Sequence, residues 1–208
     1  MRILVLTLSL LFATLGSAQA QEFNWTRFYA GPFATFGFGQ SVFSAPATTS
    51  GAVGTAGFGL GGVIGNTYDF NRFVVGGELD LQFGGVTGSA TCPGATATCA
   101  ATTEWLASLR AKAGIATDMG LIYGTVGPAV GGVTASITPA GGSASTTSQV
   151  KFGYSAGVGV EVPVSDTVTV GGEYFYTDLG RIEDSAKLGT TGASTSFHSL
   201  RATARFSF

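Results

Sequence analysis

Apolar and polar residues alternate with a period of two along much of the chain. In the clearest stretch Phe73, Val75, Gly77, Leu79, Leu81 and Phe83 share one face, while Val74, Gly76, Glu78, Asp80 and Gln82 share the other. Strand side chains project to opposite faces in turn, so this period predicts strands and not helices. The stretch from Trp105 to Ile115 repeats the pattern, with Leu106, Ser108, Arg110, Lys112 and Gly114 opposite Trp105, Ala107, Leu109, Ala111, Ala113 and Ile115. Residues 152–162, 168–177 and 199–208 follow it too, and Gly-rich segments at 28–39, 57–69 and 121–132 bring the predicted strands to eight.

The predicted connections alternate in length. Links at 69–72, 117–120 and 163–167 are tight, whereas those at 40–56, 84–103, 133–149 and 180–195 are long and rich in Ser, Thr, Gly and Ala. Short turns at one end and long loops at the other are the mark of an up-and-down barrel that spans a membrane. The predicted fold is therefore all-β: an eight-stranded antiparallel up-and-down transmembrane β-barrel over residues 21–208. Pro32 and Pro128 fall within predicted strands, where each removes a ladder donor, and local bulges are expected beside them.

The first residues add export. Arg2 precedes a largely apolar run from Ile3 to Leu15, and Ala18-Gln19-Ala20 places small residues where a signal peptidase reads them. This predicts a signal peptide over 1–20, cut before Gln21. The run is too short for a membrane-spanning helix, which needs about 20 apolar residues. Composition agrees with a wall in lipid. Only 11% of residues are charged, with 33 Gly and 45% hydrophobic residues; a soluble domain averages about 25% charged residues. A net charge of −2 without a basic cluster excludes a nucleic-acid partner.

Facing separates a membrane barrel from a secreted soluble sandwich. In a barrel bathed in lipid the polar face turns inward. The polar faces carry four acids, Glu78, Asp80, Glu161 and Glu173, and four bases, Arg110, Lys112, Arg201 and Arg205. Balanced charges of this kind are expected to pair inside a narrow barrel, because buried charges need partners. Aromatics near strand ends (Phe28, Tyr29, Phe70, Phe73, Tyr123, Tyr174, Tyr176, Phe197 and Phe208) are expected to form interfacial girdles. Phe175 is an exception, an aromatic aimed into the lumen by alternation.

Particular segments resemble a family. Trp25-Thr26-Arg27-Phe28-Tyr29-Ala30-Gly31, Phe73-Val74-Val75-Gly76-Gly77-Glu78-Leu79-Asp80 and Glu173-Tyr174-Phe175-Tyr176-Thr177-Asp178-Leu179-Gly180 resemble the small opacity-type, OmpA-like (porin-like) outer-membrane barrels of Gram-negative, especially alphaproteobacterial, cells. The resemblance covers essentially residues 25–208. It implies the cell outer membrane as location, its lipid as surroundings, and Phe208 as a C-terminal signal read by the barrel-insertion machinery. A monomer is expected.

Candidate chemistry is sparse. Cys92 and Cys99, the only cysteines, are expected to form a disulfide in an oxidising compartment, and the only histidine lies elsewhere at position 198, which argues against a metal site. Ser196, His198 and Asp178 form the one constellation with a nucleophile, base and acid, yet polar residues at a barrel rim are ordinarily interfacial. Gly57, Gly59, Gly61 and Gly62 lack the Lys-Ser/Thr that a phosphate loop needs. No catalytic residue, metal or cofactor is therefore assigned, and the protein is expected not to be an enzyme. The expected role is structural and surface-interacting, its loops offering recognition to host factors or phage. Narrow solute diffusion is the second reading, and a lipid-modifying barrel hydrolase a remote third.

Overall fold

The computed structural model describes residues 23–44, 50–92, 97–182 and 192–208. The predicted signal peptide and the rest of the chain lie outside them. The strands are β1 (Arg27–Ser44), β2 (Ser50–Phe70), β3 (Phe73–Gly84), β4 (Thr87–Thr91), β5 (Ala97–Thr117), β6 (Gly120–Pro139), β7 (Ser145–Ser165), β8 (Val168–Ile182) and β9 (Gly192–Ser207). Every pairing is antiparallel, and β1 pairs with both β2 and β9, so the sheet closes on itself. Elements β3 and β4 occupy one place in the ring: both pair with β2 on one side and β5 on the other. The ring therefore has eight members, as the alternation predicts. The interruption falls at Gly85-Val86, just after Gly84 adopts a φ of 73°.

The walls face as predicted. Phe73, Leu79, Leu81 and Phe83 are exposed outward, while Val74, Glu78, Asp80 and Gln82 are buried inward. Leu109, Val158, Val160 and Leu200 repeat the outward pattern, and Arg110, Glu161, Glu173 and Arg201 the inward one. An apolar exterior over a polar interior inverts the arrangement of a soluble barrel and suits hydrocarbon as the solvent.

Three sequence expectations are corrected. First, the strands run well into the segments read as long loops: β1 and β2 are paired as far as Ser44↔Ser50, and β5 and β6 as far as Ala97↔Pro139. Beyond the membrane neither wall contacts lipid, so the Ser, Thr and Gly there keep the ladder without keeping the apolar alternation. Second, Pro32 and Pro128 cause no bulge. The β1–β9 ladder skips from Ala30↔Phe206 to Phe33↔Thr203 in unchanged register, and β5–β6 skips from Ser108↔Ala129 to Ala111↔Val126 likewise. The glycine before each proline lets the neighbouring backbone close in, so the lost donor is absorbed locally. Register shifts fall instead at Thr103/Trp105, Pro163/Ser165 and Asp178/Arg181. Third, Tyr29, Tyr123 and Phe197 point into the lumen. They lie on Gly-rich strands or near a strand end, where alternation gave little guidance.

The turn after β2 has Asn71 at φ 55° and Arg72 at φ 81° between paired Phe70 and Phe73. Positive φ at both central residues is the hairpin turn whose twist matches the strands it joins.

At Gly31 the carbonyl oxygen of Ala204 occupies the place a Cβ would take, whereas at Gly62 the nearest atom to such a Cβ is 3.8 Å away. Gly31→Val is expected to lower stability by about 3 kcal/mol or prevent closure. Gly62→Val should fold like the parent. Urea unfolding with a heat-dependent gel mobility assay measures both.

Candidate functional site: the layered lumen and the loop end

The lumen is filled in layers. At the short-turn end the segment before β1 folds into the mouth, where Trp25, Val74, Leu121 and Tyr123 form a buried cluster with Phe23 packed against it. Thr67 donates its hydroxyl to the Trp25 carbonyl at 2.6 Å, and the Arg27 guanidinium sits 3.8 Å from the Phe23 ring centroid. This plug was not legible in the sequence, because residues before the first strand carry no period. Toward the loop end a second apolar layer contains Val86, Leu106, Ala129, Val133, Leu179 and Phe197. Above it Cys92 and Cys99 are joined by a disulfide between the end of β4 and β5, packed with Ala101.

All eight predicted interior charges meet between these layers, each no more than 6% exposed. Glu78 is the hub. Its carboxylate accepts from the Tyr29 hydroxyl at 2.6 Å, Arg110 at 3.1 Å, Lys112 at 3.3 Å and Arg205 at 3.2 Å. Asp80 accepts from Ser108 at 2.6 Å and Arg201 at 3.1 Å, and pairs with Arg110 at 3.0 Å. Glu161 pairs with Lys112, and with Arg205 at 2.7 Å. Glu173 accepts from Tyr123 and Arg205, both at 2.6 Å. The strands bring these groups together by register: Glu78 lies opposite Arg110, and Glu173 opposite Arg201.

The inward Phe175 now has a role. Its ring lies 4.3 Å from the Arg110 guanidinium and 4.7 Å from that of Arg201, which also packs 3.8 Å from the Phe33 ring. Ring faces stabilise desolvated cations. Tyr123 does the same for Lys112 at 3.9 Å.

The constellation on the outer wall is partly assembled. Asp178 faces Ser196 across β8–β9, and His198 faces Tyr176. However, Asp178 accepts from the Gly180 amide at 2.7 Å, and His198 Nδ1 shares a 2.7 Å hydrogen bond with the Tyr174 hydroxyl. The acid and the base thus each have a partner outside the constellation. The predicted insertion signal, Phe208, is 80% exposed on the outer wall, and its amide donates to the Phe28 carbonyl at 3.1 Å.

A closed ring with a lipid-compatible wall and a charged, filled lumen invites comparison with known proteins. The sequence pattern of the outer membrane protein beta-barrel domain matches residues 7–208. The chain belongs to that outer-membrane β-barrel family. This member is 33% identical over 184 residues to the 31 kDa outer-membrane immunogenic protein of Brucella melitensis, covering 79% of this chain and 75% of that one. It is 31% identical over 157 residues to the 22 kDa outer membrane protein of Rhizobium leguminosarum bv. viciae, covering 74% and 64%. Among solved structures it is similar to the outer membrane protein OprG from Pseudomonas aeruginosa, with a TM-score of 0.56 and 15% identity over 91% of this chain and 99% of that one. The outer-membrane barrel therefore resides in the outer membrane, and its relatives are alphaproteobacterial, as the sequence resemblance implies.

Because Glu78 neutralises three cations at once, Glu78→Ala is expected to cost about 3–5 kcal/mol, the scale for stranding buried charge. Glu78→Gln should cost less, since its amide oxygen still accepts from Tyr29. Urea unfolding midpoints in detergent measure the difference. An alanine variant as stable as the parent would contradict the hub.

Proposed function

We propose that this barrel is a structural and surface-interacting component of the outer membrane, and not a diffusion pore. The observation that carries the reading is the filled lumen. The plug at Trp25, the charge layer at Glu78 and the apolar layer at Leu106 and Phe197 lie in series across it. A barrel of this strand number has room mainly for its own side chains. What the protein offers is then its exterior: a wall in lipid and a loop end beyond it.

That end is built on long paired strands. The paired strands continue from the membrane to Ser44, Ser50, Ala97, Pro139 and Ser145, and the disulfide ties the tip of one hairpin. Recognition surfaces work best on such rigid supports. The Brucella relative is named as immunogenic, which fits a loop end displayed at the cell surface. The reading takes the protein as a non-catalytic monomer, exported by cleavage of residues 1–20 and inserted through recognition of Phe208. Its partners are outer-membrane lipid and, at the loops, host or phage surface molecules.

Planar-bilayer recording of the folded protein tests the choice between anchor and pore. No steady unitary conductance is expected. Stable, reproducible channels would establish the porin reading in its place.

A further inference from the structure

The outer wall is not evenly convex. A groove of about 660 Å³ lies on the lipid-facing side of β7, β8, β9 and β1. Its floor is a row of small outward residues on adjacent strands: Gly172 faces Ala202, which faces Ala34. A Cβ added at Gly172 would meet nothing within 4 Å. Phe36, Tyr174 and Leu200 rim the groove toward the loop end.

Immediately loopward lies a second concavity of about 560 Å³, with a more polar lining that includes Gln40, Thr87 and His198. His198, Phe38, Ala56 and Thr87 stand directly opposite one another across β9, β1, β2 and β4. His198 stacks between Phe38 and Tyr174, with ring centroids 5.8 and 5.7 Å away. The Tyr174 hydroxyl engages Nδ1 at 2.7 Å, and among the described residues Nε2 has no hydrogen-bond partner. In the tautomer that takes the tyrosine as donor, Nε2 carries the ring proton.

We propose that the two concavities form one site for a phosphorylated acyl lipid of the surface-facing leaflet. Its hydrocarbon chain lies over Ala34, Ala202 and Gly172, and its phosphate accepts from His198 Nε2 and the exposed Gln40 amide. The polarity of the site runs the right way. The apolar groove lies nearer the membrane centre, and the donors lie at the loop end, which is the cell-surface side of such barrels. His198 stands among the outer-wall aromatics Phe38, Tyr174 and Tyr176, a residue type that gathers where headgroups meet hydrocarbon. A second copy of the chain fits less well. A two-fold interface must be self-complementary, and a concave patch against its own copy leaves a void.

Native mass spectrometry of the folded protein, released from micelles doped with dimyristoyl phosphatidic acid or with dimyristoylglycerol, tests the site. The parent should retain phosphatidic acid preferentially. Ala202→Phe fills the groove and should reduce retention of both lipids about tenfold, while Leu79→Phe, on the wall of β3, should change neither. His198→Ala should reduce phosphatidic acid retention about tenfold, as for loss of a hydrogen bond to a charged group, and leave dimyristoylglycerol unchanged. A heat-dependent gel shift confirms that each variant is folded. Unchanged phosphatidic acid retention in folded Ala202→Phe or His198→Ala overturns the proposal. So does a dimer that Ala202→Phe abolishes without altering lipid retention, which would assign the groove to a second copy.

Discussion

Hydrocarbon offers no partner to a backbone N–H or C=O, and every feature of this molecule follows from that. A sheet in lipid must close, so β1 pairs with β9 and no edge remains. Closure at eight members gives a narrow interior that side chains must fill. The two faces of each strand then meet opposite demands. Outward positions take Phe, Leu and Val, while inward positions hold whatever packs and pairs within the lumen. The prolines are tolerated because the interruption each makes in the ladder is short and sits beside a glycine.

Filling that lumen with charge is costly unless every charge is compensated. The four acids and four bases achieve this by sharing partners: Glu78 serves three cations, and Arg205 reaches Glu78, Glu161 and Glu173. Tyrosine hydroxyls and aromatic faces add to the shell, while Arg110 Nε and Arg205 Nε stay buried without a hydrogen-bond partner among the described residues. Arg201–Asp80 and Arg205–Glu78 join strands from opposite ends of the chain, so the network also favours one register of closure over its neighbours. A one-residue slip would turn every charge of a strand toward lipid.

Much of this is legible in the amino-acid sequence. Wherever the two faces differ strongly in chemistry, as at Phe73–Phe83 and Trp105–Ile115, alternation located the strand and its facing together. The eight interior charges were found for the same reason. Where both faces are small or polar the signal vanished, so the strand extensions toward Ser44 and Pro139 read as loops. The inward turn of Tyr29 and Tyr123 was hidden by the glycines around them. The Trp25 plug and the stacking of Phe175 between Arg110 and Arg201 depend on contacts between distant segments, to which no local pattern corresponds. The candidate lipid site was missed likewise: the row Gly172, Ala202 and Ala34 exists only once the register is known.

The central claim is the inverted wall, apolar toward lipid and charged within. Nitroxide labels placed singly at Leu79, Ser108, Val160 and Thr203, in a background with Cys92 and Cys99 replaced by Ser, test it most directly through collision with oxygen in liposomes. The account predicts high oxygen accessibility at Leu79 and Val160, and shielding from both oxygen and a water-soluble relaxant at Ser108 and Thr203. Shielded labels at Leu79 and Val160, with water-accessible ones at Ser108 and Thr203, would contradict it and return the chain to the class of soluble barrels.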